Sequence, residues 1–153
     1  MLRLAVLFAG LLAVQGQTTN VQRCTGRGSD GDLPINAYLE GCENPPCRLP
    51  QGSFATIHLV FKAPRKMMRM TTYAQAFLLG IGVPDYPLGE FAETCNFLSN
   101  SFCPVMEDEV LQYTLKMEID GFPTIPVTVE FRIEDDADQS IMCIRVPINI
   151  VSS

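Results

Sequence analysis

The residues able to do chemistry in this chain are few, and their spacing excludes more than it supports. The one histidine, His58, falls inside an alternating apolar segment, and no Gly-x-Ser-x-Gly elbow occurs. A serine or cysteine nucleophile would therefore lack the adjacent base that activates it. Asp135, Asp136 and Asp138 cluster closely enough for paired-carboxylate work, yet a charged run over 134–139 reads as a solvated turn. The same oxygens lack the central glycine and closing glutamate of a calcium loop. Gly80-Ile81-Gly82 is followed by Pro84, which forbids the helix that a phosphate-cradling loop must open. Lys62, Arg65, Lys66 and Arg69 are interleaved with Met67, Met68 and Met70. That basic stretch reads as a loop between strands, and contact with anionic lipid head groups is its functional counterpart. The reading is a non-enzyme, with no catalytic residue, no metal site and no cofactor.

Six cysteines remain: Cys24, Cys42, Cys47, Cys95, Cys103 and Cys143. Their redox state depends on compartment, and the N-terminus speaks to that. Residues 1–3 give a short basic start, residues 4–14 are almost wholly apolar, and Val14-Gln15-Gly16 supplies compact residues before a cleavage point. A run that short has the length of a signal h-region and not of a membrane span. Residues 1–16 are thus expected to be a signal peptide and residues 17–153 the mature domain, secreted and extracellular. In an oxidising compartment an even thiol count forms cross-links. Spacing alone does not choose among the 15 pairings six cysteines allow. Locally, Cys42 and Cys47 bracket a Glu-Asn-Pro-Pro turn and Cys95 and Cys103 bracket a short polar loop, which would leave Cys24 to meet Cys143. Zinc is the competing use, but paired CxxC spacing is missing.

The chain of 153 residues is 47% apolar and carries a net charge of −6. It is long enough for one domain with a sizeable core and too apolar for disorder. Without a concentrated basic face it is a poor partner for nucleic acid. Its elements read as strands. Ala55, Ile57, Leu59 and Phe61 alternate with Thr56, His58, Val60 and Lys62. Leu111, Tyr113, Leu115, Met117 and Ile119 alternate likewise, and the pattern resumes at Ile125, Val127, Val129, Phe131 and Ile133. The intervening Asp-Gly-Phe-Pro predicts a hairpin between these two strands. Met142, Ile144, Val146, Ile148 and Ile150 share one face of a last strand, where Pro147 suggests an edge. Residues 34–40 are a weaker strand, and 71–81 a long apolar one. No helical period competes. The pattern predicts an all-β, immunoglobulin-like antiparallel sandwich, although no tryptophan is present to stand against an inter-sheet disulfide. Bulky apolar residues in segments that should be turns, among them Val83, Tyr86, Pro87, Leu88, Ile119, Phe122 and Pro123, either cap the core or line the mouth of an apolar cavity.

The frame Gly41-Cys42-Glu43-Asn44-Pro45-Pro46-Cys47, then Gly80, Val83-Pro84, Tyr86-Pro87-Leu88, Cys95, Cys103-Pro104, Phe122-Pro123, Asp135-Asp136, Cys143 and Pro147 closely resembles the ML-domain, lipid-recognition family of the Niemann-Pick type C2 proteins and group 2 mite allergens. The resemblance covers essentially the whole mature chain. It implies an immunoglobulin-like sandwich with a lipid cavity between the sheets and three disulfides, Cys24 with Cys143, Cys42 with Cys47, and Cys95 with Cys103. It also implies that a sterol or fatty acyl ligand lies between the sheets, a sterol with its hydroxyl near the opening. Tyr86 stands where the sterol carriers have Phe in a Phe-Pro-Ile segment, and Phe122-Pro123 where they have Tyr-Pro. The expected lipid-binding residues are Phe77, Val83, Tyr86, Pro87, Ile119, Phe122, Pro123 and Val127. Asp85 reads as an insertion that puts a charge at the mouth. Asn96 and Asn100 both fail the Asn-x-Ser/Thr pattern, so delivery to the lysosomal lumen through an N-glycan is not expected by the usual route.

The function so implied is a monomeric carrier that holds a sterol, cholesterol-like, or another single lipid and moves it between membranes or proteins, with transient contact to a membrane or membrane transporter. Two alternatives stand beside it. One is carriage of fatty acids or semiochemicals in extracellular fluid. The other is an interaction protein that presents lipid to an innate-immunity receptor.

Overall fold

The computed structural model describes residues 16–26 and 32–153, so nearly all of the expected leader lies outside the described residues. Among the described residues nine strands follow in chain order: β1 (Gln22–Arg23), β2 (Asn36–Leu39), β3 (Cys47–Pro50), β4 (Phe54–Lys62), β5 (Met70–Leu78), β6 (Ile81–Gly82), β7 (Val110–Glu118), β8 (Pro126–Asp135) and β9 (Ser140–Val151). They form two sheets. One has the order β2-β4-β7, and the other β1-β9-β8-β5-β6, with β3 pairing with β9.

The period-two rows dictate this arrangement, because each long strand has one apolar face to hide. In the smaller sheet Ala55, Ile57, Leu59 and Phe61 stand opposite Met117, Leu115, Tyr113 and Leu111. In the larger sheet Val127, Val129, Phe131 and Ile133 stand opposite Ile148, Val146, Ile144 and Met142. All of these are buried in one cluster, each large side chain contributing ~1.5–3 kcal/mol through water excluded from its surface. The sheets therefore pack face to face, as the sequence predicts.

Three local expectations change. β7 and β8 do not form a hairpin: β7 pairs with β4, while β8 pairs with β5 and β9. Both strands need the same core from opposite sides, so residues 119–125 cross from one sheet to the other. The long apolar strand over 71–81 ends at Leu78 and doubles back through Leu79 (φ 50°) and Gly80 (φ 79°) to pair Leu78 with Ile81. Two successive positive φ values make a tight turn whose twist matches the strands. Pro147 does lie at an edge, but a local one. β1 pairs with β9 at 144–145 and β3 at 148–151, so Pro147 falls between them where no N–H is required.

The expected disulfides are in place, with Cα separations of 5.8 Å for Cys24–Cys143, 5.6 Å for Cys42–Cys47 and 5.7 Å for Cys95–Cys103. All six sulfurs are consumed in them. The chain from β6 to β7 forms a strap along the side of the sandwich between the edges of β5 and β7. It contains two short 3-10 turns, Gly89–Ala92 and Thr94–Phe97, and it is held by Cys95–Cys103.

Candidate functional site

The first half of the strap follows β5: the Val83 N–H donates to Ala76 O at 2.9 Å and the Tyr86 N–H to Ala74 O at 2.8 Å. The second half follows β7, where the Ser99 N–H donates to Gln112 O at 2.8 Å. Between them the Tyr86 hydroxyl crosses the gap and donates to the carbonyl of Glu118 at 2.9 Å. Burial raises the Tyr86 pKa, so this phenol stays a neutral donor.

Phe122 arrives from the other side. The inter-sheet crossing turns at Gly121 (φ 73°), and Gln51 Nε2 donates to the Phe122 carbonyl at 2.6 Å. The rings of Tyr86 and Phe122 then meet at 5.1 Å between centroids, tilted by 30°. Such a contact is favourable beyond the area it buries. Ile119 is buried next to it, its N–H bound to Ser53 O at 2.8 Å. Val127 is buried on the inward row opposite Ile148. Val83 is half-buried, and Pro87 and Pro123 are exposed beside the two aromatic rings. Of the eight expected lipid-binding residues, Tyr86 and Phe122 meet directly, Ile119 and Val127 face the core, and Val83, Pro87 and Pro123 flank them.

Phe77 is a correction. It pairs with Thr128 on the row that faces away from the core, and the Arg145 guanidinium lies 4.2 Å from its ring centroid. The period-two pattern of β5 fixes this, since Ala74 and Ala76 point inward and Phe77 must point out. Asp85 is a second correction. Its carboxylate accepts from Arg132 at 3.4 and 3.5 Å on the outer face of the larger sheet, away from the mouth.

Arg132 belongs to a network the sequence reading missed. Its Nε donates to Glu134 at 3.2 Å, it lies 4.5 Å from the Tyr73 ring centroid, and Glu130 accepts from Arg145 at 2.8 Å. Burial opposes the charge on Arg132, but Asp85 and Glu134 outweigh it and the net pKa is raised. The alternation Glu130, Arg132, Glu134 signalled a polar outer face. That these charges are buried depends on partners from β5, β9 and the strap.

Half of the basic stretch is neutralised as well. Lys62 pairs with Asp108 at 3.3 Å and Arg65 with Asp135 at 2.7 Å, leaving Lys66 and Arg69 exposed. His58 sits on the outer face of the smaller sheet, with Nε2 2.7 Å from Glu40 and Nδ1 3.2 Å from Thr114.

Inside the sandwich the inward rows carry a polar cluster that sequence reasoning did not find. Thr72 Oγ1 lies 2.7 Å from Thr94 Oγ1 and 2.8 Å from the Tyr113 hydroxyl. All three residues are buried. Burial dominates the Tyr113 phenol and pushes its pKa up to about 12 against the opposing effect of the two threonines. Thr72 and Tyr113 sit in strand rows that signal burial, but nothing in the sequence brings Thr94 of the strap to them.

The family model of the ML domain matches residues 18–150. The NPC intracellular cholesterol transporter 2 of Mus musculus is 27% identical over 148 residues, covering 96% of this chain and 95% of that protein. Its Danio rerio counterpart is 25% identical over 124 residues, 80% of each. Among solved structures, a Niemann-Pick type C2 protein from the Japanese carpenter ant superposes with a TM-score of 0.70 at 17% identity, covering 86% of this chain and 99% of that one.

Proposed function

The chain belongs to the ML domain family, and from that premise we propose that it is a non-catalytic carrier of a single lipid held between its two sheets. The observation that carries this reading is the pairing of two inward apolar faces with a side closed only by a strap. At that side Tyr86 and Phe122 meet across the gap. A lipid inserted there would be stabilised by loss of apolar surface to water, the driving force that needs no directional chemistry. Relatives along nearly the whole chain carry the name of a cholesterol transporter, which supports a sterol as one ligand class.

The interior can adapt to a ligand. Met67, Met70, Met117 and Met142 are all buried in it, and their unbranched chains repack with little cost. For a ligand of sterol size, affinity at about 0.3 kcal/mol per heavy atom gives roughly micromolar dissociation. That suits pick-up and release.

The carrier acts as a monomer, secreted after removal of residues 1–16. Three disulfides support an oxidising compartment. Among the described residues no helix is long and apolar enough to cross a membrane. Contact with a donor or acceptor membrane falls to the β5–β6 turn, where Leu79 is fully exposed and Ile81 is exposed beside it, two residues from Val83. Large apolar side chains at the tip of a hairpin fit an interface better than water.

Phe122→Ala tests the site. Loss of the ring is expected to weaken binding of a fluorescent sterol or fatty acid about tenfold while the melting temperature moves little, because Phe122 is only half-buried. Unchanged affinity for both lipids would remove it from the pocket. Extraction of the secreted protein followed by lipid mass spectrometry identifies the ligand class directly.

A further inference from the structure

Gln17, the first residue after the expected leader, is held to β2 by its main chain. It is exposed, and its backbone carbonyl accepts from Asn36 Nδ2 at 2.9 Å. The Thr18 hydroxyl donates to Ala37 O at 3.4 Å, and the Thr19 N–H donates to the same oxygen at 2.7 Å. The Leu39 N–H returns to Thr19 Oγ1 at 2.8 Å. Residues 17–19 thus cover the outer edge of β2, the strand at one end of the smaller sheet. Left bare, that edge would offer its N–H and C=O groups to any other chain.

The side chain of Gln17 carries none of these bonds. It lies in an open depression of about 510 Å³, with Asn36, Tyr38, Glu40 and His58 around it. The space beside Gly16 is open too. Removal of residues 1–16 makes Gln17 the N-terminal residue, carrying a primary amine and a carboxamide on one carbon skeleton. An α-amino group has an ordinary pKa of about 8, so on the order of a tenth of it is the free, nucleophilic base at pH 7. Attack on its own Cδ closes a five-membered lactam. Both reacting groups belong to one residue, so no entropy of association opposes the step.

We propose that Gln17 is a modification site, and that the mature chain begins with a pyroglutamyl residue formed from it. The bond from the α-nitrogen to Cδ forms, the Cδ–Nε2 bond breaks, and ammonia leaves with one proton taken from the amine. No oxidant or reductant enters the balance. The inference rests on removal of residues 1–16 and is independent of which lipid is carried. The cyclised terminus is uncharged, so no cation is added beside Glu40, whose carboxylate stays 2.7 Å from His58 Nε2. It also offers no free amine to an aminopeptidase, which keeps residues 17–19 over the β2 edge.

The test is intact mass and stepwise N-terminal sequencing of the full chain secreted by cultured eukaryotic cells. The expected mass is that of residues 17–153 with three disulfides, less one ammonia, and sequencing is expected to be blocked. Pyroglutamyl aminopeptidase, applied to the denatured protein, is expected to remove the block and give a sequence opening Thr18-Thr19-Asn20-Val21. Gln17→Ala is expected to show no loss of ammonia, to be sequenced directly from the substituted residue, and to keep the wild-type melting temperature, since the side chain it shortens is exposed. A wild-type mass of residues 17–153 with no ammonia lost overturns the cyclisation and leaves the leader boundary standing. A chain that starts at any other residue overturns both. A blocked terminus in Gln17→Ala would assign the block to another group and overturn the cyclisation as well. The carrier reading is decided by Phe122→Ala, apart from any of these results.

Discussion

Asp135 sits in the turn that the sequence reads as solvated, yet its side chain is buried. Burial alone would raise its pKa, but the Gln139 N–H at 2.9 Å, the Arg65 Nε at 2.7 Å and the Ala137 N–H at 2.9 Å together lower it. A carboxyl whose folded pKa is depressed contributes stability above its unfolded pKa and loses it as pH falls through the folded value. Asp135→Asn is therefore expected to destabilise by roughly 1–2 kcal/mol at pH 7, since it removes a charged acceptor from three donors. The difference in melting temperature from the wild-type protein should shrink as pH is lowered below 3.8, the ordinary value for this group. A pH-independent gap would assign the effect to packing instead. Among the neighbouring carboxylates, Asp136 and Asp138 are exposed, so the expectation of a solvated turn holds for them.

On the carrier reading, the strap is the element that must give way for a ligand to enter between the sheets. It is tied to β5 by backbone hydrogen bonds and to β7 at the Tyr86 end by one phenolic donor. Tyr86→Phe removes that donor and keeps the ring against Phe122. A net loss of ~1 kcal/mol for one partly exposed hydrogen bond translates to about a fivefold faster release of bound lipid. Stopped-flow release of a fluorescent ligand measures it, and the melting temperature should fall by no more than about 2–4 °C because the core is untouched. An unchanged release rate would place the path of the ligand elsewhere. The outer ends of Asp85 and Arg132 hold the same strap to the larger sheet, which gives Asp85 a structural role where its sequence position suggested a charge at the mouth.

The molecule as a whole is closed by Cys24–Cys143, which joins residues 119 apart and ties the N-terminal segment to β9. In the chain-entropy account a loop of this length is worth up to about 5 kcal/mol, against much less for Cys42–Cys47, which spans a separation of 5. Replacing both Cys24 and Cys143 with Ala is expected to lower the melting temperature substantially more than the same change at Cys42 and Cys47. Differential scanning calorimetry of the two variants checks the order, and a reversed order would show that local strain or packing outweighs loop closure.

The strand rows and the sandwich class were fixed by alternation alone, because a row of apolar residues at period two can be hidden only by a second sheet. Tyr113, Ile119 and Val127 were thus legible as buried before any fold was known. Which strands become partners was not legible. Asp-Gly-Phe-Pro suits a hairpin locally, and only the need of β7 and β8 to cover one core from opposite sides turns it into a crossing. Phe77 shows the same limit: its apolar character suggested the interior, while the register that puts Ala74 and Ala76 inside sends it beneath Arg145. The meeting of Tyr86 with Phe122, and of Thr72 with Thr94 and Tyr113, joins residues from strap, strand and crossing that are remote in sequence. Local periodicity reports which face a residue takes, and contacts between elements arise only when the sheets have packed and the strap has closed over their edge.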